Sequence, residues 1–576
     1  MFIRKENKKK WIILFVSEIL VLIPKIIVVF QALPIADGKD EMAMLAVPAK
    51  LAGFDWSQCM AEARYYGFGY FFIFAPLFRM NMNMLWIYRI ILLITAVLEG
   101  IIPIIIQYIL DKYFRITSAK EVILITTIMS FMTVTPLYNL INEHALIIII
   151  WGVTLIAFNL VYAETKQSKQ FNTILLDILL IYGLFIHTRF QVLIIAVCIT
   201  AILYKLLYKE WLVAPFFFPL LGGGYILSKY IIRMVQIYVW GTTNLLNASV
   251  KIPNIEKNNL HGLLEGFFRI ILGNIGTLII FTASSGIFVV GALLYYFFLY
   301  GTKSKKKKYD KAVLVVLCIF ILSLCGTLAA FGLMHMKAFA IQAEGEKFAE
   351  IKALTYLRYY LIYFIPVFFI GLVFFYKHVS IYKKTYKITS LFSIIILLLW
   401  INYVAPYVSD TNYGRSTFYP FSYLLNLTTK LKIDDFRAII IIIVSVMTLT
   451  IIFLRENRTN LLFFLACLFI YQYIYFAVKI AIPDEKRYYR SVDASIDYVE
   501  RYIDKEQLIY IYDNNERYTS YRVYLYQHNI AVGLPDSFDN DVIILTNKNI
   551  DDEVPGNMNS LEIDNTEWIY YTLSSE

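Results

Sequence analysis

Arg4-Lys5-Glu6-Asn7-Lys8-Lys9-Lys10 is followed at Trp11 by an apolar run that continues to Leu33, with Glu18 and Lys25 as its only charges. About 20 apolar residues at 1.5 Å rise cross a hydrocarbon core of about 30 Å. The run is too long for a signal peptide and shows no small-residue cleavage site, so it reads as a retained first span. A basic flank ahead of the first span places the N-terminus on the cytoplasmic side.

The same pattern recurs along the chain. Of the 576 residues, 59% are hydrophobic and 17% charged. A soluble domain carries about 45–50% apolar and about 25% charged residues. The apolar runs predict thirteen spans, at about 11–33, 85–110, 121–139, 144–163, 172–187, 190–207, 211–230, 274–300, 311–333, 359–376, 387–405, 438–454 and 460–482. The lysine clusters at Lys303–Lys308 and Lys377–Lys387 then fall on the cytoplasmic side, as do Lys112 with Arg115 and Arg455 with Arg458. Residues 66–78 are apolar but short and aromatic, and read as a helix lying at the outer interface. The net charge of +10 belongs to these loops and does not point to nucleic acid. Four of the five cysteines lie in apolar runs and Cys59 in a polar loop, which leaves no disulfide framework and no metal-spaced set.

Thirteen spans put the C-terminus outside. Residues 483–576 hold 19 Asp and Glu against 8 Lys and Arg, so about −11 resides there and about +21 in the rest. The runs Gln507–Tyr512, Asp541–Thr546 and Trp568–Tyr571 read as strands and 491–503 as a helix. The expected architecture is a polytopic α-helical membrane domain, 1–482, with a small extracytoplasmic α/β domain, 483–576. Long outer segments at 34–84, 231–273, 334–358 and 406–437 place the work of the protein on the outer face.

Just past the first span stands Leu33-Pro34-Ile35-Ala36-Asp37-Gly38-Lys39-Asp40-Glu41-Met42. Asp37, Asp40 and Glu41 can share one helical face, since positions three and four apart are neighbours. Carboxylates at that depth can serve as general bases; as plain helix-capping acids they would carry no chemistry. An amphipathic stretch with Met44, Val47 and Leu51 on one side leads to Leu51-Ala52-Gly53-Phe54-Asp55-Trp56 and Arg64-Tyr65-Tyr66-Gly67-Phe68-Gly69-Tyr70.

This order of features resembles the GT-C class of membrane glycosyltransferases, closest to the branch of protein O-mannosyltransferases and lipid A aminoarabinose transferases. Asp40-Glu41 matches the family's acidic pair after the first span, and Leu51–Trp56 its juxtamembrane pattern. The motif match spans about 35 residues and the architecture most of the chain. The resemblance implies that Asp40, with Glu41 beside it, is the base for the acceptor. It also implies a second acid at Glu143 and an Arg-Tyr pair at Arg358-Tyr359 on the donor phosphate. The family's basic residue and proline after the Arg-Tyr element are replaced here by Tyr66-Gly67-Phe68, which departs from its phosphate contact.

Each of these residues also has a plainer reading. Glu143 can cap the helix that follows it, and Arg358 can snorkel to an aromatic belt. Arg189, in His187-Thr188-Arg189 at an outer hairpin, offers a planar fork for phosphate or a headgroup anchor. Arg64 is a third candidate cation, and Asp37, Tyr65 and Tyr359 are candidate donor or acceptor contacts. Glu18 and Lys25, seven apart on one face, read as a structural ion pair. The expected activity is transfer of a sugar from a polyprenyl-phosphate donor to a glycan, lipid or protein acceptor, with inversion, in a bacterial plasma membrane. No cofactor is required by the sequence, although Asp40, Glu41 and Glu143 could hold a divalent cation. A flippase of lipid-linked saccharide would place polar residues along a path through the spans. A polysaccharide polymerase or ligase would rely on outer arginines.

Overall fold

The structure is a computed structural model. It describes residues 2–34, 38–60, 63–133, 135–241, 260–282, 285–301, 307–342, 351–404, 458–490, 492–513, 518–538, 541–556, 558–564 and 567–572. The helices in chain order are α1 (Phe2–Val29), α2 (Lys39–Ala52), α3 (Ala75–Arg79), α4 (Met84–Glu99), α5 (Ile101–Lys112), α6 (Ala119–Phe131), α7 (Asn142–Tyr162) and α8 (Lys166–Ile186). They continue as α9 (Gln191–Tyr208), α10 (Phe217–Trp240), α11 (Leu260–Phe281), α12 (Ile287–Gly301), α13 (Lys308–Gln342), α14 (Leu361–Lys377) and α15 (Val379–Tyr403). After the undescribed 405–457 come α16 (Arg458–Phe476), α17 (Ile482–Tyr489), α18 (Asp493–Tyr502) and α19 (Tyr518–Tyr524).

Among the described residues, eight helices are long and apolar enough to cross a bilayer, and three shorter apolar helices lie among them. The first shows why such a helix belongs in lipid. Trp11, Phe15, Ile19, Ile23 and Ile27 recur every four residues and are exposed, while Ile13, Ser17, Val21, Lys25 and Val28 are buried. A helix with an exposed apolar stripe has hydrocarbon as its solvent. At the other extreme, α14 is buried at every position from Leu361 to Phe375 and forms the centre of the bundle.

Several expected spans take a different form. The span at 121–139 ends at Phe131, because Thr135-Pro136 cannot continue a helix and residues 135–141 run irregularly. The span at 274–300 is two helices, α11 and α12. The break falls where the Thr282 hydroxyl accepts from the Gly286 N–H (2.8 Å), a side-chain bond that competes with helix. Part of the expected outer segment 231–273 is helical, since α10 runs to Trp240 and α11 starts at Leu260. Residues 66–78 do form short helical turns, at Phe71–Phe74 and α3, and do not span. The span at 438–454 and the segment 406–437 lie outside the described residues.

A small C-terminal sheet domain follows the last helices. Its strands are β1 (Leu508–Tyr512), β2 (Asn529–Val532), β3 (Ile543–Thr546), β4 (Asn559–Asp564) and β5 (Glu567–Tyr571), in the order β2-β1-β3-β5-β4. β1 pairs in parallel with β2 and β3, and β5 lies antiparallel to β3 and β4. The domain docks on the segment after α1. The Tyr524 hydroxyl donates to Pro34 O (3.3 Å), the Tyr526 hydroxyl to Met82 O (2.9 Å) and the Trp56 indole to Tyr526 O (3.4 Å). Arg522, fully buried, lies 5.3 Å over the Trp56 ring and donates to the carbonyls of Leu525 and His528, both at 2.8 Å. Burial draws its guanidinium down to about 10. Leu51–Trp56, read as a juxtamembrane signature, thus serves as the seat of the sheet domain. Gly53 makes the seat possible: at φ +109° it ends α2 in a left-handed cap with its N–H on Lys50 O (3.1 Å).

Candidate active site

At the end of the bundle that carries the sheet domain, four elements bring charged side chains together. Asp40 comes from the first turn of α2 and Glu143 from the first turn of α7, where the helix dipole favours an anion. Arg358 stands on the helical turn Leu357–Tyr359 that leads into α14, and Arg189 on the turn Thr188–Phe190 between α8 and α9.

Arg358 bridges the two acids. Its Nη1 donates to Asp40 Oδ2 at 3.2 Å and its Nε to Glu143 Oε1 at 3.0 Å. Arg189 Nη2 donates to the same Oε1 at 2.7 Å, and its guanidinium lies 3.4 Å over the Tyr359 ring. Exposure separates the roles of the acids. The Glu143 side chain is 1% exposed and Asp40 27%. Glu143 is the buried anchor of two arginines, whereas Asp40 faces the open side and can meet a substrate.

His187 completes the cluster. Its ring meets Arg189 Nε at 3.0 Å, and burial, with Arg189 beside it, holds the imidazole well below its usual range, so it stays neutral. The site therefore carries two cations against two anions. An incoming phosphate makes the anions three, and the arginine forks are the groups suited to receive it.

The residues expected from sequence are distributed as follows. Asp40, Glu143, Arg189, Arg358 and Tyr359 meet in one cluster. Glu41 does not share a face with Asp40, because consecutive helical residues point about 100° apart. It is fully buried, and its Oε1 accepts from the Tyr88 hydroxyl (2.7 Å) and the Leu140 N–H (2.6 Å), tying α2 to α4 and to the chain before α7. Asp37 lies outside the described residues, and α2 begins only at Lys39. Nor is α2 amphipathic: it is buried all round from Glu41 to Ala49, while Leu51 is exposed. Arg64 is exposed and takes no part in the ion-pair network. Tyr65 is buried, its ring 5.5 Å from that of Trp240. Its neighbour Tyr66, quoted in the sequence only as a departure from the family pattern, is partly buried, its ring 5.8 Å from that of His187.

Two further readings change. Lys25 pairs with Glu99 of α4 rather than with Glu18, and Glu99 Oε1 also meets His144 Nδ1 at 3.0 Å, all three side chains being 1–3% exposed. The carboxylates offered as a cation set do not converge: Glu41 is bonded elsewhere and Arg358 stands between Asp40 and Glu143. Among the described residues no group of three or more His, Cys, Asp or Glu could hold a metal ion.

By sequence, no protein family and no curated protein matches the chain. By structure, ArnT from Cupriavidus metallidurans bound to undecaprenyl phosphate matches with a TM-score of 0.57 and 9% identity, over 98% of each chain. The apo state of ArnT from the same organism matches with a TM-score of 0.53 and 10% identity, again over 98% of each chain. At this identity the likeness establishes the fold, a GT-C-like bundle with a small C-terminal sheet domain.

Proposed function

We propose that the protein is a membrane glycosyltransferase. It transfers a sugar from a polyprenyl-phosphate-linked donor to an acceptor hydroxyl on the extracytoplasmic side of a bacterial plasma membrane. The observation that carries this is the joining of an open carboxylate, Asp40, to Arg358, which with Arg189 is held on the buried acid Glu143, at the end of an apolar bundle. The fold supports it, because a protein of that fold has been solved with undecaprenyl phosphate bound.

Asp40 takes the proton of the acceptor hydroxyl, and the oxygen attacks the anomeric carbon from the face opposite the lipid phosphate. Arg358 and Arg189 offset the charge that grows on the departing phosphate, and Glu143 keeps both forks in place. One displacement inverts the anomeric configuration. Apolar faces of the surrounding helices hold the prenyl chain. A divalent cation between Asp40 and Glu143 would have to displace Arg358, so the arginines carry the phosphate charge in this reading.

The test uses purified full-length protein in lipid with a panel of polyprenyl-phosphate sugars and candidate acceptors. Release of polyprenyl phosphate is followed by mass spectrometry. Release by the wild type and not by Asp40→Asn supports the reading. Equal release by both removes Asp40 from the chemistry. Movement of intact donor across the bilayer without release favours a flippase.

A further inference from the structure

A cavity of about 560 Å³ lies between the sheet domain and the chain that follows α2 and α3. One wall comes from the residues after those two helices, the other from the residues just ahead of β1 and β2. A second cavity, of about 250 Å³, shares Asn81, Lys505 and Gln527 with it and adds Asn83 and Glu500. Asp40 begins α2 and Gly53, which lines the first cavity, follows its end. At about 1.5 Å per residue the two lie about 20 Å apart along the helix. The cleft is therefore separate from the cluster of arginines and carboxylates.

Amide side chains mark the shared wall, and each is held. Asn81 stands at φ +54°, a left-handed position that asparagine tolerates. Gln527 Nε2 donates to Asn81 Oδ1 (2.5 Å) and to the Tyr526 hydroxyl (2.6 Å). Lys505 Nζ donates to Asn81 Oδ1 (3.2 Å) and to the Gln527 side-chain carbonyl. Asn529 Nδ2, in the first cavity, donates to Glu506 O at 3.1 Å. An amide offers a donor and an acceptor side by side, a pattern that two neighbouring sugar hydroxyls match. Phe54 adds a half-buried ring, set edge-on to Tyr526 at 5.2 Å, and such a ring can take the C–H face of a sugar.

The charges do not favour an anionic ligand. Arg79 and Lys505 are answered by Asp55 and Glu506 in the first cavity, and Glu500 adds an anion in the second. Arg79 Nη2 is also turned to Leu51 O at 2.7 Å. His528, 6% exposed, is drawn down to about 4 by burial and by Arg522, so it is uncharged at neutral pH. We propose that this cleft binds a neutral oligosaccharide, with the amides of Asn81, Gln527 and Asn529 on its hydroxyls and Phe54 against a ring face. Two cavities that share one amide wall suit a ligand of more than one sugar ring. Use of the cleft to seat the part of a glycan acceptor remote from the reacting hydroxyl rests on the transferase reading. The binding itself does not.

The test does not require turnover. Full-length protein in nanodiscs is applied to an array of neutral oligosaccharides (glucans, galactans, mannans and N-acetylglucosamine oligomers) and their phosphorylated and sulfated counterparts. The wild type should bind neutral members, and Kd is then measured by titration calorimetry with the strongest of them. Gln527→Ala and Asn529→Ala, at wild-type thermal midpoints, should each raise Kd about tenfold, the loss of roughly one or two hydrogen bonds. Asp40→Asn should bind as the wild type does, so binding and turnover fail separately. No binding to any neutral member overturns the proposal. Binding that both alanine variants leave unchanged also overturns it, because the ligand then sits elsewhere. Binding confined to phosphorylated or sulfated members overturns it too, and makes Arg79 and Lys505 an anion site.

Discussion

Replacing Glu143 by Gln keeps the shape of the side chain and removes the charge that two arginines share. Its carboxylate is 1% exposed and receives Arg189 at 2.7 Å and Arg358 at 3.0 Å. Removing one partner of a buried ion pair costs about 3–5 kcal/mol, since the remaining charge is left buried and uncompensated. Here the arginines are 25% and 11% exposed and Arg358 retains Asp40, so the cost belongs at the lower end, about 3 kcal/mol. The larger effect is on rate. Forks that drift by about 1 Å lose roughly 100-fold in rate. The thermal midpoint and polyprenyl phosphate release are measured on the same preparation. A Glu143→Gln protein with wild-type midpoint and wild-type release would refute the anchoring argument. A destabilised protein with full turnover would confine Glu143 to a structural role.

Three more outcomes are expected. Lys25→Met leaves Glu99 buried without its cation and should cost about 3 kcal/mol in a thermal or denaturant assay, whereas Lys25→Met with Glu99→Leu should recover most of it. Trp56→Ala removes the aromatic seat of the sheet domain and should cost about 3 kcal/mol; limited proteolysis should then cut between 482 and 492 far faster, and an unchanged rate would deny Trp56 that role. His528 is held down to about 4 by burial and by Arg522 beside it. The folded state therefore binds fewer protons than the unfolded one between pH 4 and about 6.5, and stability falls as pH drops through that window. His528→Asn should flatten that dependence in thermal scans, and a retained slope would assign it to another group.

The membrane class was legible from composition and run length, because hydrocarbon demands about 20 apolar residues per crossing whatever the partners. The interior of that pattern was less legible. Hydropathy cannot show that the Thr282–Gly286 contact divides one run into two helices, or that Thr135-Pro136 ends another early, since both depend on local backbone bonding. Asp40, Glu143 and Arg358 were singled out by the family resemblance and Arg189 by its place at an outer hairpin, and the fold brings the four side chains together. Which charge meets which was not available: Lys25 lies seven residues from Glu18 and pairs across helices with Glu99.

Asp40 and Glu41 show most plainly what only the tertiary structure decided. They are adjacent and of one chemical type, yet the helical rotation between them sends one to Arg358 on the open side and the other into a sealed contact with Tyr88 and Leu140. Tyr65 and Tyr66 repeat the lesson: one ring packs against Trp240 and its neighbour against His187. Sequence fixes residue type and spacing, and with them the spans, the acidic pair and the cations that can answer it. The direction in which each side chain points comes from packing between segments hundreds of residues apart, such as Asp40 and Arg358, and only the folded chain supplies it.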